Sequence, residues 1–344
     1  MIQQPFGEKG DCMAATIIDI KEKTGLSLAT ISKYLNGGNV LPENKEKIEA
    51  AIKELHYEVN EIARGLVTNK TRTVGVVVFS IESLFNGILL HHIGETLRKQ
   101  GYGLLICDSA NDEKREAENV RFLLSKKVDG LIVVPVSNRP DFLRQALHKE
   151  IPMIMVDRSV EGLECDCIRI DNYKAARQAV EKLIENNHKQ IAIIYSGKEY
   201  TGIERYKGFM DAMEAAGLTL AEEYRKVGVH SLEHGYESMK ALLELPNRPT
   251  AVFMSNYEIT LGAAIALKES VYRCPEDISM LGFDNLMLSG LVEPRISVVV
   301  QPMQEIGEKA AELLLKRMQG KMDQKPMEFI LETTLQEGDS IQPL

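Results

Sequence analysis

Between positions 27 and 33 the chain sets three hydroxyls and one ammonium within two helical turns: Ser27, Thr30, Ser32 and Lys33, with Leu28 and Ala29 beside them. Hydroxyls at Ser27, Thr30 and Ser32 suit phosphate oxygens, whereas Leu28, Ala29 and Lys33 can reach base edges. Taken alone, the same face could belong to a small helical packing module that touches protein instead. The residue types that catalysis uses do not combine. The five cysteines, Cys12, Cys107, Cys165, Cys167 and Cys274, form no C-x-x-C, and the Cys165/Cys167 pair has no second ligand pair near it in sequence. Adjacent His91 and His92 would face different ways on a helix. Gly101-Tyr-Gly103 is a lone G-x-G after a helical segment, and no phosphate-binding G-x-x-x-x-G-K-[ST] occurs. No enzyme, metal or cofactor is expected.

The elements that must carry the hydroxyl face are short and helical. Ile17, Ile20 and Thr24 suit one helix that Gly25 breaks. Ser27 can cap a second helix with Ile31 and Leu35 on its inner side, ended by Asn36-Gly-Gly-Asn39. Pro42 opens a third, with Ile48, Ile52 and Leu55 buried. Two helices joined by a Gly-containing turn form the unit that lays its second member in a major groove. Residues 60–69 suit a helix too short to be stable alone, followed by a polar linker.

From Val74 the pattern changes to repeated strand and helix. Continuous apolar runs at Val74–Phe79, Leu104–Ile106, Leu131–Val134, Met153–Val156, Ile191–Ile194, Ala251–Met254 and Ile278–Phe283 read as buried parallel strands. Helical segments at Lys114–Lys126, Asn172–Glu185, Ile203–Ala216 and His234–Leu243 separate them. Such units predict doubly wound parallel sheets, and their number predicts two, with a ligand cleft at the strands' carboxyl ends.

Composition excludes several classes. Apolar residues are 44% and charged residues 26% of the 344, as in globular chains. No apolar run approaches the roughly 18 residues of a membrane helix, and residues 1–12 lack a secretory apolar region. A cytoplasmic location without membrane contact is expected. The net charge is −9. Residues 1–72 hold ten basic and ten acidic side chains, so DNA binding there must rest on placed contacts rather than bulk charge.

After Met13 the chain resembles the LacI/GalR family of bacterial transcription regulators. The head pattern T-I-x-D-V-A-x-x-A-G-V-S-x-x-T-V-S-R-x-L-N is matched by Thr16, Asp19, Gly25, Ser27, Thr30, Ser32, Leu35 and Asn36. The linker pattern Y-x-P-N-x-x-A-R-x-L appears as Tyr57, Asn60, Ala63, Arg64 and Leu66. The resemblance adds Thr16, Ile17, Asn36, Tyr57, Asn60, Ala63 and Leu66 to the expected DNA contacts, with Leu66 as a minor-groove wedge on a hinge helix that orders on the operator. In the core, Asp129-Gly130, Arg205-Tyr-Lys-Gly208-Phe209, Gly282-Phe-Asp284-Asn285 and Gln301-Pro302 match family motifs. The resemblance implies an effector held by Arg205 and Asp284, a fork and a carboxylate suited to sugar hydroxyls, with Leu84, Phe85, Asp157, His230 and Asn256 as further contacts. Asp157-Arg158 stands where many sugar-responsive members carry D-R.

The resemblance also implies an N-terminal all-α helix-turn-helix head and an α/β core of two doubly wound parallel-sheet subdomains, like a periplasmic binding protein. The expected division is a disordered extension at 1–12 (Met13 serving as the start), the head at 13–59 and a hinge helix and linker at 60–72. One core half is expected at 73–169 with 301–326, the other at 170–300 with 327–344. The implied activity is a homodimeric repressor on a near-palindromic double-stranded operator, controlled by a small-molecule effector, a carbohydrate or carbohydrate derivative. Alternatives are control by a protein corepressor, or a sugar-binding protein that never touches DNA. Val59, Lys21, Tyr257 and Phe79 depart from the usual Pro, Ala, Asp and Pro, and Tyr257 removes a carboxylate from the ligand chemistry at that point.

Overall fold

The structure is a computed structural model that describes residues 15–58, 65, 70–136, 141–284, 293–321 and 325–344. The chain divides into two units, residues 1–71 and 72–344.

The first unit holds three helices, α1 (Ile17–Thr24), α2 (Leu28–Leu35) and α3 (Pro42–Glu54). Asp19 Oδ2 accepts from both the amide (2.6 Å) and the hydroxyl (2.8 Å) of Thr16, which fixes the start of α1. Gly25, at φ +68°, ends it in the left-handed conformation that glycine adopts without a Cβ clash. Ser27 then caps α2 by accepting from the Thr30 amide at 3.2 Å. Ile20, Ile31, Ile48 and Ala51 are the buried centre, and Leu26, Tyr34, Leu35, Ile52 and Leu55 close around them. So small a core needs ties between helices. The Tyr34 hydroxyl donates to Glu49 at 2.7 Å, and Lys23 pairs with Glu54.

The second unit contains two six-stranded sheets among the described residues. The first comprises β1 (Thr73–Val78), β2 (Gly103–Asp108), β3 (Gly130–Val133), β4 (Met153–Val156), β5 (Asp166–Ile170) and β11 (Glu328–Leu331), in the order β11-β5-β4-β3-β1-β2, all parallel. The second comprises β6 (Ile191–Ser196), β7 (Arg225–Gly228), β8 (Ala251–Met254), β9 (Ser279–Phe283), β10 (Ser297–Val300) and β12 (Thr334–Gln336), in the order β12-β10-β9-β8-β6-β7, with only β12 antiparallel. Strands β3, β4, β6, β8 and β9 are buried throughout, which is why they are unbroken apolar runs.

Helices cover both sheets. Those that bear on the cleft are α4 (Leu84–Arg98), α7 (Asn172–Glu185), α8 (Tyr200–Ala215), α10 (Tyr257–Lys268) and α11 (Met303–Met318). The intervening α5 (Glu113–Ser125), α6 (Asp141–His148) and α9 (Leu232–Leu243) complete the layers. At Gly208 on α8 a β-carbon would run into the Tyr173 carbonyl oxygen of α7, so only glycine lets these helices meet so closely.

Three sequence expectations need correction. Residues 328–331, assigned to the second half, form β11 of the first sheet. Glu328 pairs in register with Cys167 and Leu331 with Ile170, and Arg169 holds Glu328 at 2.7 Å. The last crossing between halves therefore falls between Leu331 and Thr334. The run Leu104–Ile106 is not a buried strand: β2 lies at the sheet edge, and Ile106 is 44% exposed. The His91 and His92 rings, expected to diverge, meet edge-on at 5.1 Å.

Candidate functional site

A cleft of about 610 Å³ lies at the carboxyl ends of strands from both sheets. The turn after β1 and the first turn of α4 supply Phe79, Leu84 and Phe85, with the Phe79 and Phe85 rings stacked 6.3 Å apart. Asp157 and Arg158 follow β4, Arg205 projects from α8, and Asn256 and Asp284 follow β8 and β9. His230 comes from the loop before α9. All seven residues expected to contact an effector, Leu84, Phe85, Asp157, Arg205, His230, Asn256 and Asp284, thus line one cavity. Asp157 (φ +76°) and Asp284 (φ +73°) leave their strands in the left-handed region, where aspartate is tolerated better than most residues and where functional sites concentrate.

Arg205 is 3% exposed. Its Nε donates to Asn172 Oδ1 at 2.9 Å and its Nη1 to the Ser255 carbonyl at 2.5 Å. The guanidinium carbon sits 3.6 Å from the centre of the Phe283 ring. Asp284 Oδ2 is 3.6 Å from Nη1, while Asp284 Oδ1 accepts from Gln301 Nε2 at 2.5 Å. Sequence left open an ion pair between the halves, but both partners come from the second half. Asn256 serves its own helix first: its Oδ1 caps α10 by accepting from the Ile259 amide at 3.0 Å, and its Nδ2 donates to Glu258 at 2.8 Å. The amide of Tyr257, in place of the family's Asp, reaches Asp284 Oδ2 at 3.3 Å.

Burial governs the titrating groups. It pushes Asp157 up to about 6, and the nearby Asp284 charge adds to this while Arg205 and Arg158 oppose it. Burial, with Arg205, His234 and Arg158 beside it, holds His230 down at about 3, so its ring is neutral. Glu199 and Glu258 are both raised by burial. Arg158, 5% exposed, has an Nε with no hydrogen-bond partner among the described residues, and the same is true of Glu199 Oε2 and His230 Nε2. Groups so placed are costly unless a ligand satisfies them.

Sequence reasoning did not single out Glu199, Glu258, Gln301 or the role of Arg158. Arg158 and Gln301 stood inside quoted motifs, so a signal existed; Glu199 and Glu258 carried none. Cys165 and Cys167 lie on or beside β5, where burial raises both thiols, Cys167 to about 12. No cluster of potential metal ligands occurs among the described residues.

On the head, Leu28 is 41% exposed, and Ala29 and Lys33 are exposed beside it. The Ser27 and Thr30 hydroxyls hydrogen-bond each other at 2.9 Å, and Asn36 Nδ2 donates to Ser32 Oγ at 3.3 Å. Ile17 and Tyr57 are half-buried and pack on the head core, while Thr16 is exposed. Asn60, Ala63 and Leu66, with the hinge helix, lie outside the described residues, as do Asn285 and residues 1–12.

Residues 180–341 match the model of a periplasmic binding protein-like domain. The HTH-type transcriptional repressor PurR of Histophilus somni is 33% identical over 311 residues, covering 89% of this chain and 93% of that protein. The transcriptional regulator CelR in complex with cellobiose is 28% identical with a TM-score of 0.70, over 95% of this chain and 99% of that one. The Lac repressor dimer bound to operator and the anti-inducer ONPF superposes with a TM-score of 0.86 over 96% of this chain and all of that one, at 23% identity, and so speaks to fold alone. These relatives are repressors and regulators rather than enzymes. With an exposed two-helix face ahead of a two-sheet core, and a third of its residues shared with a repressor along nearly its whole length, the chain belongs to the LacI/GalR family of DNA-binding transcription regulators.

Proposed function

We propose that this protein is a cytoplasmic, homodimeric repressor whose affinity for a near-palindromic operator is set by a small sugar-like effector in the cleft. The observation that carries this reading is the convergence of Leu84 and Phe85 from one half with Arg205, Asn256 and Asp284 from the other on one cavity. A ligand touching both halves must bind their relative arrangements unequally, and that inequality is what shifts operator affinity. The hydroxyl-aromatic chemistry of the cleft and the cellobiose bound to a regulator 28% identical support a carbohydrate. Two heads are needed because α2 reads few bases, so two-fold symmetry in the protein calls for symmetry in the site. Ser27, Leu28, Ala29, Thr30, Ser32 and Lys33 form the reading surface, with Thr16, Ile17, Asn36, Tyr57, Asn60, Ala63 and Leu66 assisting.

The test is selection of duplexes from a random pool by the purified protein, followed by fluorescence anisotropy on the winner across a panel of sugars. A selected duplex whose affinity moves at least about tenfold, the range of a typical coupling energy, is the expected result. Absence of any preferred duplex, with and without the sugars, would sink the proposal.

A further inference from the structure

Of the six lysines on α1, α2 and α3, three are tied to carboxylates: Lys23 to Glu54, Lys45 to Glu49 and Lys47 to Glu43. The ammonium groups of Lys21, Lys33 and Lys53 have no partner among the described residues, and all three side chains are exposed. Their placement separates them, because each residue of an α-helix turns by about 100° from the one before. On α1, Lys23 reaches Glu54 of α3, so Lys21, two positions earlier, stands about 200° round, on the flank turned away from α3. On α2, the Tyr34 hydroxyl reaches Glu49 of α3, and Ser32, again two positions earlier, lies on that helix's opposite flank. Both helices therefore give one flank to α3, and Lys21 shares the other side of the pair with Ser32. Lys53 lies about 140° from Ile48 and about 200° from Ala51, the buried residues of α3, and so points outward from the head.

The carboxylates nearest Lys21 on α1 do not hold it. Asp19 is engaged by the amide and hydroxyl of Thr16, and Glu22 is exposed about 100° further round the helix. In a helix-turn-helix the first helix crosses the sugar-phosphate backbone while the second enters the groove. An ammonium on a flexible stem meets a phosphate oxygen as a point charge and carries no base information. Because basic and acidic side chains balance over residues 1–72, no bulk attraction draws the head to DNA, and a free cation on the reading side has a correspondingly large share of the electrostatic contribution. We propose that Lys21, where the family pattern has alanine, binds a backbone phosphate beside each half-site, so that it sets affinity and salt dependence but not the choice of sequence. This rests on the operator reading above and adds a contact that the family pattern lacks.

The experiment is fluorescence anisotropy of the full chain on its selected duplex and on an unrelated one, between about 50 and 200 mM salt. The proteins compared are the unaltered chain, Lys21→Ala, Lys21→Arg and Lys53→Ala. Lys21→Ala should weaken both duplexes by the same factor at a given salt. Its slope of log affinity against log salt should be shallower by about 0.9 per subunit, or about 1.8 for a dimer. The deficit relative to the unaltered protein should therefore shrink about tenfold across that range. Lys21→Arg should restore the slope, and Lys53→Ala, which removes the same charge from the outer side of the head, should match the unaltered protein. An unchanged slope for Lys21→Ala overturns the phosphate contact. An equal fall for Lys53→Ala overturns it too, because DNA would then be sensing net charge rather than position. A loss confined to the selected duplex makes Lys21 a base reader and overturns the sequence-independent role. Each of these three results leaves the operator reading standing; if the unaltered protein prefers no duplex, that reading and this contact fall together.

Discussion

Arg205 and Asp284 approach to 3.6 Å between Nη1 and Oδ2, and neither depends on the other for its orientation. Arg205 is fixed by Asn172, Ser255 and the Phe283 face, and Asp284 by Gln301 and the Tyr257 amide. A fork and a carboxylate held separately, a little too far apart for an ideal ion pair, leave room for a ligand oxygen to compete for both. Arg205→Ala should abolish the response of operator affinity to an effector while leaving affinity without effector nearly unchanged. It should also cost about 3 kcal/mol in urea unfolding, because Asp284 and Asn172 lose a buried partner. An unaltered effector dose response would remove Arg205 from the site.

Gly208 supports Arg205 from three residues further along α8. A methyl group there collides with the backbone of Tyr173 and comes within 3.0 Å of the Arg177 amide nitrogen, neither of which can rotate away. Gly208→Ala should destabilise the core by roughly 3 kcal/mol or more. A thermal midpoint equal to that of the unaltered protein would mean that α7 and α8 are not held at this separation.

The positions of these two residues in the chain were legible, but their surroundings were not. The buried strands announce themselves because a parallel strand covered on both faces must be apolar, as Ile191–Ile194 and Ala251–Met254 are. β7 reads Arg-Lys-Val-Gly and lies at an edge, and β5 carries Asp166, whose carboxylate is gripped at 2.7 Å by both Arg317 Nε and Nη2 from α11. A pair 151 positions apart leaves no local pattern, so β5 and β11 went unread. Within the cleft, Arg205 and Asp284 stood in glycine-marked motifs. Glu199 stood in none, because nothing in the local sequence marks a carboxylate that folding turns onto a cleft.

On the head, Lys33 and Ser32 should behave differently when truncated. Lys33 is exposed on α2, and its stem lies against Gly38, where an added β-carbon would sit 2.7 Å from Lys33 Cγ. Lys33→Ala should change which base is preferred at one operator position, by about 1–3 kcal/mol of discrimination. Ser32→Ala should weaken all duplexes alike. Gly38→Ala should mimic Lys33→Ala by pushing the ammonium aside. Binding-site selection with each variant checks this, and equal losses on every sequence for Lys33→Ala would contradict base reading.

Asp157 and His230 face the same cleft and should bias stability in opposite directions with pH. The folded-state pKa of Asp157 is raised to about 6 from 3.8, so the folded state holds its proton more tightly than the unfolded chain does. Its favourable contribution is complete below pH 3.8 and is lost as pH rises through 6. His230 is lowered from 6.5 to about 3, so the unfolded chain takes up that proton first. Its contribution is complete above pH 6.5 and is lost as pH falls toward 3. Across the shared interval the two slopes oppose each other. Asp157→Asn should therefore raise the thermal midpoint at pH 7.5, where the buried carboxylate is charged, while leaving that at pH 3.5 unchanged. His230→Gln should raise the midpoint near pH 4 and leave it unchanged at pH 7.5. Scanning calorimetry of both variants and the unaltered protein from pH 3.5 to 7.5 measures each difference directly. Parallel stability curves for Asp157→Asn and the unaltered protein would mean that Asp157 is solvated rather than enclosed, and would weaken its place beside Arg205 in ligand binding.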